Sequence, residues 1–278
     1  MKKILVPTDF SEQSINAFRF AIQLAVAQKS QIQLLHVIEL PVMHDTTLMP
    51  TLSFEQQYMK DASDMAEKNF KRLIKVAKGE NAISWSVEYG NATTMILDYC
   101  KKKKADLIVM GTKGATGLKE YFVGSNTEKI VRLSPVPVIA LPEATTLSSI
   151  KNIIFPTPLY GSQEAVVPQI RLLQSMLHAK LHVVYINTPA NFRRDKQTTA
   201  LLEQFAKKNQ LKNYDLHVYN DISEEEGLVN FASHIGGCLL AMPTHGRRGI
   251  AHLMAGSIAE DVVNHIHFPV WTFRTGRR

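Results

Sequence analysis

The chain has 278 residues, of which 45% are hydrophobic and 21% charged, a composition typical of globular proteins with apolar cores. At ~150 residues per domain, this length predicts two domains. The net charge of +7 is spread over both halves, which argues against a nucleic-acid-binding protein. Two cysteines, Cys100 and Cys238, make no disulfide framework. No apolar run approaches the ~18 residues that span a bilayer, so we expect a soluble, cytoplasmic protein with no membrane partner.

The first half of the chain alternates short apolar runs, typical of buried strands, with stretches of helical periodicity. A loop containing His44 and Asp45 interrupts the alternation at residues 41–53. It could cover the first crevice as a lid, but a plain solvent loop is the preferred interpretation. In chain order we predict a strand at 4–6, a helix through Ala17 and Ala25, a strand at 32–38, a helix at 54–78, a strand at 83–89, a helix at 93–103, a strand at 105–110, a helix through Ile130, and a strand at 136–141.

The pattern then repeats. Residues 2–8 reappear at 151–157, and the glycine-containing stretch 111–117 reappears at 243–249. A polar linker at 142–149 separates the copies. Strand–helix alternation indicates parallel strands with right-handed crossovers. We therefore predict two tandem doubly wound α/β domains, 1–144 and 150–278, each a mainly parallel five-stranded sheet with helices on both faces.

A glycine turn lies between the fourth strand and the helix that follows it. Gly111, Gly114 and Gly124 allow close approach of the backbone to a ligand, and a helix N-terminus offers unpaired N–H groups to an anion. Ser125 and Glu128 have the spacing of a capping box, which also explains the helix start. The two explanations are compatible, and the turn is a candidate phosphate site.

The spacing of Gly111, Gly114, Gly124 and Ser125 resembles the G-x2-G-x9-G-(S/T) signature of nucleotide-binding universal stress proteins. The segment Pro7-Thr8-Asp9-Phe10-Ser11 after the first strand is similar to the same family, as is His36-Val37 at the end of the second. The resemblance covers the whole chain as two tandem domains. It implies that the ligand is ATP, or AMP or ADP, bound with a divalent cation such as Mg²⁺.

The resemblance also implies a role for each matching residue of the first half. Asp9 is expected to bind the ribose hydroxyls, Val37 to offer backbone groups to the adenine, and Gly111 to admit the ribose. The phosphate-binding set shares the glycine turn and the helix start after it: Gly114, Gly124, Ser125 and Asn126. Pro7 and Thr8 complete the nucleotide-binding set. These residues follow strand ends, where open α/β sheets bind ligands.

The second half departs from this pattern at two positions. Pro158 stands where the first half has Asp9, and Pro243 where it has Gly111. A proline offers no carboxylate and no N–H, and its ring occupies space that a sugar would need. Although Gly246, Gly256 and Ser257 remain, we expect ATP to bind the first half only.

The leading functional prediction is a stress-response or signalling module that depends on bound nucleotide and acts on an unidentified protein partner. A slow ATPase or phosphoryl carrier, and a nucleotide-free scaffold for protein or apolar ligands, stay open. Several histidines of the second half match no standard metal-ligand spacing: His234, His245, His252, His265 and His267. We expect the halves to form an intramolecular pseudo-dimer through their final strands, 136–141 and 270–273; a homodimer of chains stays open.

Overall fold

The computed structural model describes residues 1–39, 52–75, 77, 82–112, 125–159, 166–244 and 267–274. In its first half the elements are β1 (Lys3–Pro7), α1 (Glu12–Gln28), β2 (Gln31–Ile38), α2 (Leu52–Lys75), β3 (Ile83–Tyr89), α3 (Ala92–Lys103), β4 (Leu107–Gly111), α4 (Ser125–Leu133) and β5 (Val138–Leu141). In its second half they are β6 (Asn152–Pro156), α5 (Val166–Leu177), β7 (Lys180–Asn187), α6 (Asp195–Lys208), β8 (Tyr214–Asn220), α7 (Glu224–Ile235), β9 (Cys238–Thr244) and β10 (Val270–Arg274).

The predicted doubly wound α/β fold is confirmed, with small shifts at element boundaries. Helix α2 begins at Leu52, inside the segment predicted as a loop, because no helix-breaking residue separates Leu52 and Ser53 from the amphipathic stretch that follows. The rest of that loop, including His44 and Asp45, lies outside the described residues. Among the described helices, none is long and apolar enough to cross a membrane.

The strands form one ten-stranded sheet in the order β3-β2-β1-β4-β5-β10-β9-β6-β7-β8. Pairing is parallel within each half. At the centre, β10 pairs antiparallel with β5, with Val270 opposite Ala140 and Trp271 opposite Ile139. These are the two strands that the sequence predicts as meeting edges.

Local sequence signals explain where the helices begin and end. The side chain of Ser11 accepts a hydrogen bond from the Ser14 N–H at the start of α1, and that of Asn91 does the same for Thr94 at the start of α3. The basic run at 101–104 supplies the last turn of α3 and its left-handed C-cap, where cations favourably meet the helix dipole.

The two faces of the sheet are packed differently. On one face a single apolar cluster extends across both halves, from Phe20 of α1 through Ile139 and Trp271 to Leu173 of α5. On the other face α3 and α4 cover one cluster, and α7 covers a separate one. The halves therefore share a core on one face only.

Candidate functional site

The direction in which strands are added reverses between β1 and β4 of the first half. From β1 the chain builds β2 and β3 on one side, and it then builds β4 and β5 on the other. In an open parallel sheet such a switch point leaves a crevice at the carboxyl ends of the strands. Here those ends are Pro7, which closes β1, and Gly111, which closes β4.

The segment after β1 is held in one conformation by short hydrogen bonds. The Thr8 side chain is 5% exposed. Its Oγ1 lies 2.9 Å from Ser14 Oγ and accepts from the Phe10 N–H at 3.0 Å. Its carbonyl oxygen lies 2.8 Å from His36 Nδ1. Asp9 is solvent-exposed, and its Oδ1 accepts from the Ser11 N–H at 3.0 Å.

Phe10 follows Asp9 with a backbone φ of 61°, a left-handed conformation that is an outlier for a bulky residue. Its ring packs against His36 at a centroid distance of 4.7 Å and edge-on against Phe70 of α2 at 5.0 Å. Backbone strain of this kind persists only where the surroundings enforce it, and it concentrates at functional sites. The turn that presents Asp9 is therefore fixed by aromatic packing behind it.

Gly111 is required by packing as well as by any ligand. A Cβ built on it would lie 2.9 Å from the carbonyl carbon of Gln13 and 3.0 Å from the Gln13 carbonyl oxygen. The first turn of α1 thus rests directly on the end of β4. The carbonyl oxygen of Gly111 also accepts a 2.9 Å hydrogen bond from Thr127 Oγ1, which fixes the start of α4 beside the same strand end.

The remaining predicted residues lie at neighbouring strand and helix ends. Val37 is half-buried in β2 opposite Glu88 of β3. Asn126, in the first turn of α4, accepts through Oδ1 from Thr93 Oγ1 of α3 at 3.0 Å. Ser125 begins α4, whereas Gly114 and Gly124 lie outside the described residues.

Three residues that connect these elements were not singled out by the sequence analysis. Thr93 and Thr127 anchor α3 and α4 to the site, and Glu39, just after β2, accepts from the Ala92 N–H at 2.8 Å. Glu39 carries no motif. Thr127 follows Ser125 and Asn126 directly, and its spacing from Gly111 gives no hint of contact until the strand–turn–helix is folded.

The second half repeats the local geometry of the first without its carboxylate. Leu159, the counterpart of Phe10, has a φ of 61°, and its N–H donates to Thr157 Oγ1 at 3.3 Å. Pro158 occupies the Asp9 position, and Pro243 lies within β9. The fold-forming part of the repeat is thus retained here.

A cleft of about 240 Å³ adjoins Pro158. Its lining is mixed apolar and polar: Pro158, Tyr185, Ala190, Asn191, Phe192, Arg193 and Glu224. Glu224 Oε1 accepts from Asn191 Nδ2 at 2.9 Å, while the buried Oε2 has no hydrogen-bond partner. Burial raises the pKa of Glu224, and the Asn191 hydrogen bond opposes that rise.

Two of the five histidines singled out from the sequence are described. His234 is exposed in the last turn of α7, and His267 Nδ1 lies 3.3 Å from Glu143 Oε1 at the surface. His245, His252 and His265 lie outside the described residues. The two thiols are buried, and burial raises the pKa of Cys100 to about 11 and that of Cys238 to about 12.

The sheet order defines a tandem doubly wound α/β protein with a switch point in its first half. The family model for the universal stress protein family matches residues 1–142 and 149–274, so the chain belongs to that family. The chain is 25% identical over 292 residues to universal stress protein Slr1230 of Synechocystis sp., covering 99% of this chain and 100% of that protein.

Single-domain relatives and solved structures match as well. Universal stress protein YxiE of Bacillus subtilis is 30% identical over 142 residues, covering 49% of this chain and 96% of that protein. A crystal structure of a universal stress protein from Archaeoglobus fulgidus matches with a TM-score of 0.74 at 17% identity, covering 99% of this chain and 98% of that one. This last likeness supports the fold alone.

Proposed function

We propose that the chain binds an adenine nucleotide, ATP foremost, in the crevice of its first half, and that it acts in a stress response through nucleotide binding. The observation that carries the proposal is a convergence at one switch point. The exposed carboxylate of Asp9, the glycine at the end of β4 and the start of α4 all lie at the same edge of the sheet. A carboxylate suits ribose hydroxyls, and a helix N-terminus suits phosphate.

Each residue then has a task that follows from its position. Thr8 and Pro7 hold the turn that presents Asp9, and Val37 offers backbone groups beside the adenine. The phosphates are bound by the glycine turn and the helix start: Gly111, Gly114, Gly124, Ser125 and Asn126. A divalent cation such as Mg²⁺ neutralises the clustered negative charge of a triphosphate.

The test is calorimetric titration of Mg-ATP into the Asp9→Asn variant. Asparagine keeps the size of the side chain and an oxygen that can accept from the Ser11 N–H, so the turn is preserved. Losing one charge-assisted hydrogen bond costs ~1.5–3 kcal/mol, which corresponds to roughly 10- to 150-fold weaker binding. Pro158→Ala, at the corresponding position of the second half, is the matched control and should leave the affinity unchanged. Undiminished ATP affinity in Asp9→Asn would refute the assignment.

A second function is favoured by the cleft in the second half. Its partly apolar walls and the unpaired Glu224 Oε2 suit a small ligand with an apolar body and a hydrogen-bond donor. In that role the second half would be a ligand-binding or scaffold module beside a nucleotide-binding one. Mass spectrometry of small molecules released from the purified chain distinguishes the two, because only the first function predicts an adenine nucleotide.

A further inference from the structure

Three potential metal ligands lie together on β7 and β8, on the sheet face covered by α7. His182 of β7 is paired in register with Asp215 of β8, and Val184 is paired with His217. One ligand atom from each of His182, Asp215 and His217 lies within 4.8 Å of the other two. These residues lie toward the amino ends of the strands, whereas the crevices lie at the carboxyl ends.

The orientation of the His182 ring is set by a second layer of hydrogen bonds. Asn152 of β6 donates through Nδ2 to the Gly236 carbonyl oxygen at 3.0 Å, which turns its Oδ1 toward His182 Nε2, also at 3.0 Å. Because an amide oxygen only accepts, His182 Nε2 must carry the proton. The lone pair of the neutral ring is then on Nδ1, which points at His217 Nε2, 3.0 Å away, and lies 3.9 Å from Asp215 Oδ2.

This arrangement is typical of metal-binding histidines. Such a histidine usually donates its second ring N–H to an oxygen acceptor that fixes both its tautomer and its orientation. The His217 ring is fixed as well, by packing against Phe231 of α7 at a centroid distance of 4.9 Å.

The charge states of the three residues also suit a cation. Burial lowers the pKa of His182 and that of His217, so both rings are neutral near pH 7. A hydrogen bond from Lys180 lowers the pKa of Asp215, which keeps the carboxylate ionised. Neutral imidazole and ionised carboxylate are the forms that bind metals.

We propose that His182, His217 and Asp215 form a binding site for a divalent transition metal such as Zn²⁺, separate from the proposed nucleotide site. Bonds of ~2.0–2.2 Å in a tetrahedral site put ligand atoms roughly 3.2–3.6 Å apart. His182 Nδ1 lies 3.0 Å from His217 Nε2 and 3.9 Å from Asp215 Oδ2, each within a few tenths of an ångström of that range, and all three ligand atoms lie within 4.8 Å of one another. Two imidazoles and a carboxylate suit Zn²⁺, Co²⁺, Ni²⁺ or Cu²⁺ better than Mg²⁺ or Ca²⁺.

Lys180 competes with the metal. Its Nζ lies 2.7 Å from Asp215 Oδ2, and the two histidines can satisfy each other by a hydrogen bond. The Lys180 side chain is 44% exposed, so its ammonium can move to solvent when a cation binds. The competition gives a specific expectation: removing the Lys180 charge strengthens metal binding, whereas a merely structural cluster is indifferent to it.

The test uses the full chain without nucleotide. Zn²⁺ affinity is measured by competition with a chromophoric chelator, and coordination by the visible absorption of bound Co²⁺. We expect one tight site per chain, weakened at least tenfold in His217→Gln and in Asp215→Asn and strengthened in Lys180→Met. His217 and Asp215 are partly exposed, so neither variant disturbs a sealed core.

His234→Gln is the matched control, because His234 is an exposed histidine of the same half and should not affect the tight site. The chain has ten histidines, so weak adventitious binding is expected, and only the tight one-equivalent site is compared between the variants. Absence of a one-equivalent tight site would overturn the proposal. So would affinity in His217→Gln equal to that of His234→Gln.

Discussion

The contact between Gly111 and α1 predicts that even one methyl group is costly at this position. In Gly111→Ala the new Cβ would meet the Gln13 carbonyl carbon at 2.9 Å and the carbonyl oxygen at 3.0 Å. These are backbone atoms, so a change of side-chain rotamer gives no relief, and the first turn of α1 must move. Overpacking of this kind typically costs ~1–3 kcal/mol. Since the Asp9 turn leads directly into α1, weaker ATP binding should accompany the lost stability.

The assay is equilibrium urea unfolding followed by fluorescence of Trp85 in the first half and Trp271 in the second, with ATP titration alongside. Pro243→Ala is the matched control, because the corresponding position of the second half already carries a Cβ. Replacing a proline there should cost only ~0.4–1 kcal/mol, through the unfolded state, and should leave ATP affinity unchanged. A Gly111→Ala protein within about 0.5 kcal/mol of wild type would refute the reasoning, because it would show that α1 can withdraw from β4 freely.

Three further predictions concern the cleft and the nucleotide. Burial raises the pKa of Glu224 above its ordinary value of 4.5, in a cleft that is also lined by Tyr185, Arg193 and Asn191. The contribution of Glu224 to stability is therefore complete below pH 4.5 and is lost as the pH rises through the raised pKa. Glu224→Gln should therefore gain stability relative to wild type from pH 4.5 toward 7 in urea unfolding, and a pH-independent difference would contradict this. Calorimetry of the full chain should give one ATP per chain, and two would show that Pro158 and Pro243 do not exclude the ribose. ATP hydrolysis should stay below ~1 per second, and a faster rate that survives purification would favour an enzyme.

The fold was predictable because the same pattern of strands and helices occurs twice in the sequence. Thr8 and Thr157 each donate a backbone N–H to the neighbouring strand, at Leu35 and Val184. A strand of four or five apolar residues followed by Pro-Thr predicts that geometry in either copy. Strand limits shifted by only one or two residues: the run 136–141 contains Pro137, which has no N–H to donate, and β5 begins at Val138.

Side-chain contacts between distant segments were not predictable, because they depend on strand register and on packing across the sheet. His182 and His217 lie 35 residues apart, and no ligand spacing connects them. They meet only because β7 and β8 pair in parallel with Asp215 opposite His182. Of the five histidines singled out from the sequence, the two described ones, His234 and His267, are not part of this cluster. The close contact between Gly111 and the first turn of α1 was not predictable either, because the angle and distance at which a helix crosses a strand cannot be read from sequence spacing.

The junction between β5 and β10 gives the second half a role that does not depend on a ligand. In the first half alone, β5 would be an edge strand of four buried apolar residues, and exposed apolar edges invite aggregation. Pairing with β10 supplies hydrogen-bond partners for the backbone of that edge strand. Trp271, which is 1% exposed, extends the shared core beside Ile139. The same β4 that ends in Gly111 is paired with β5, so the second half supports the strand that borders the proposed nucleotide crevice. The second half, which lacks a counterpart of the Asp9 carboxylate, can therefore be retained for stability alone, because losing it would expose the edge next to the proposed site.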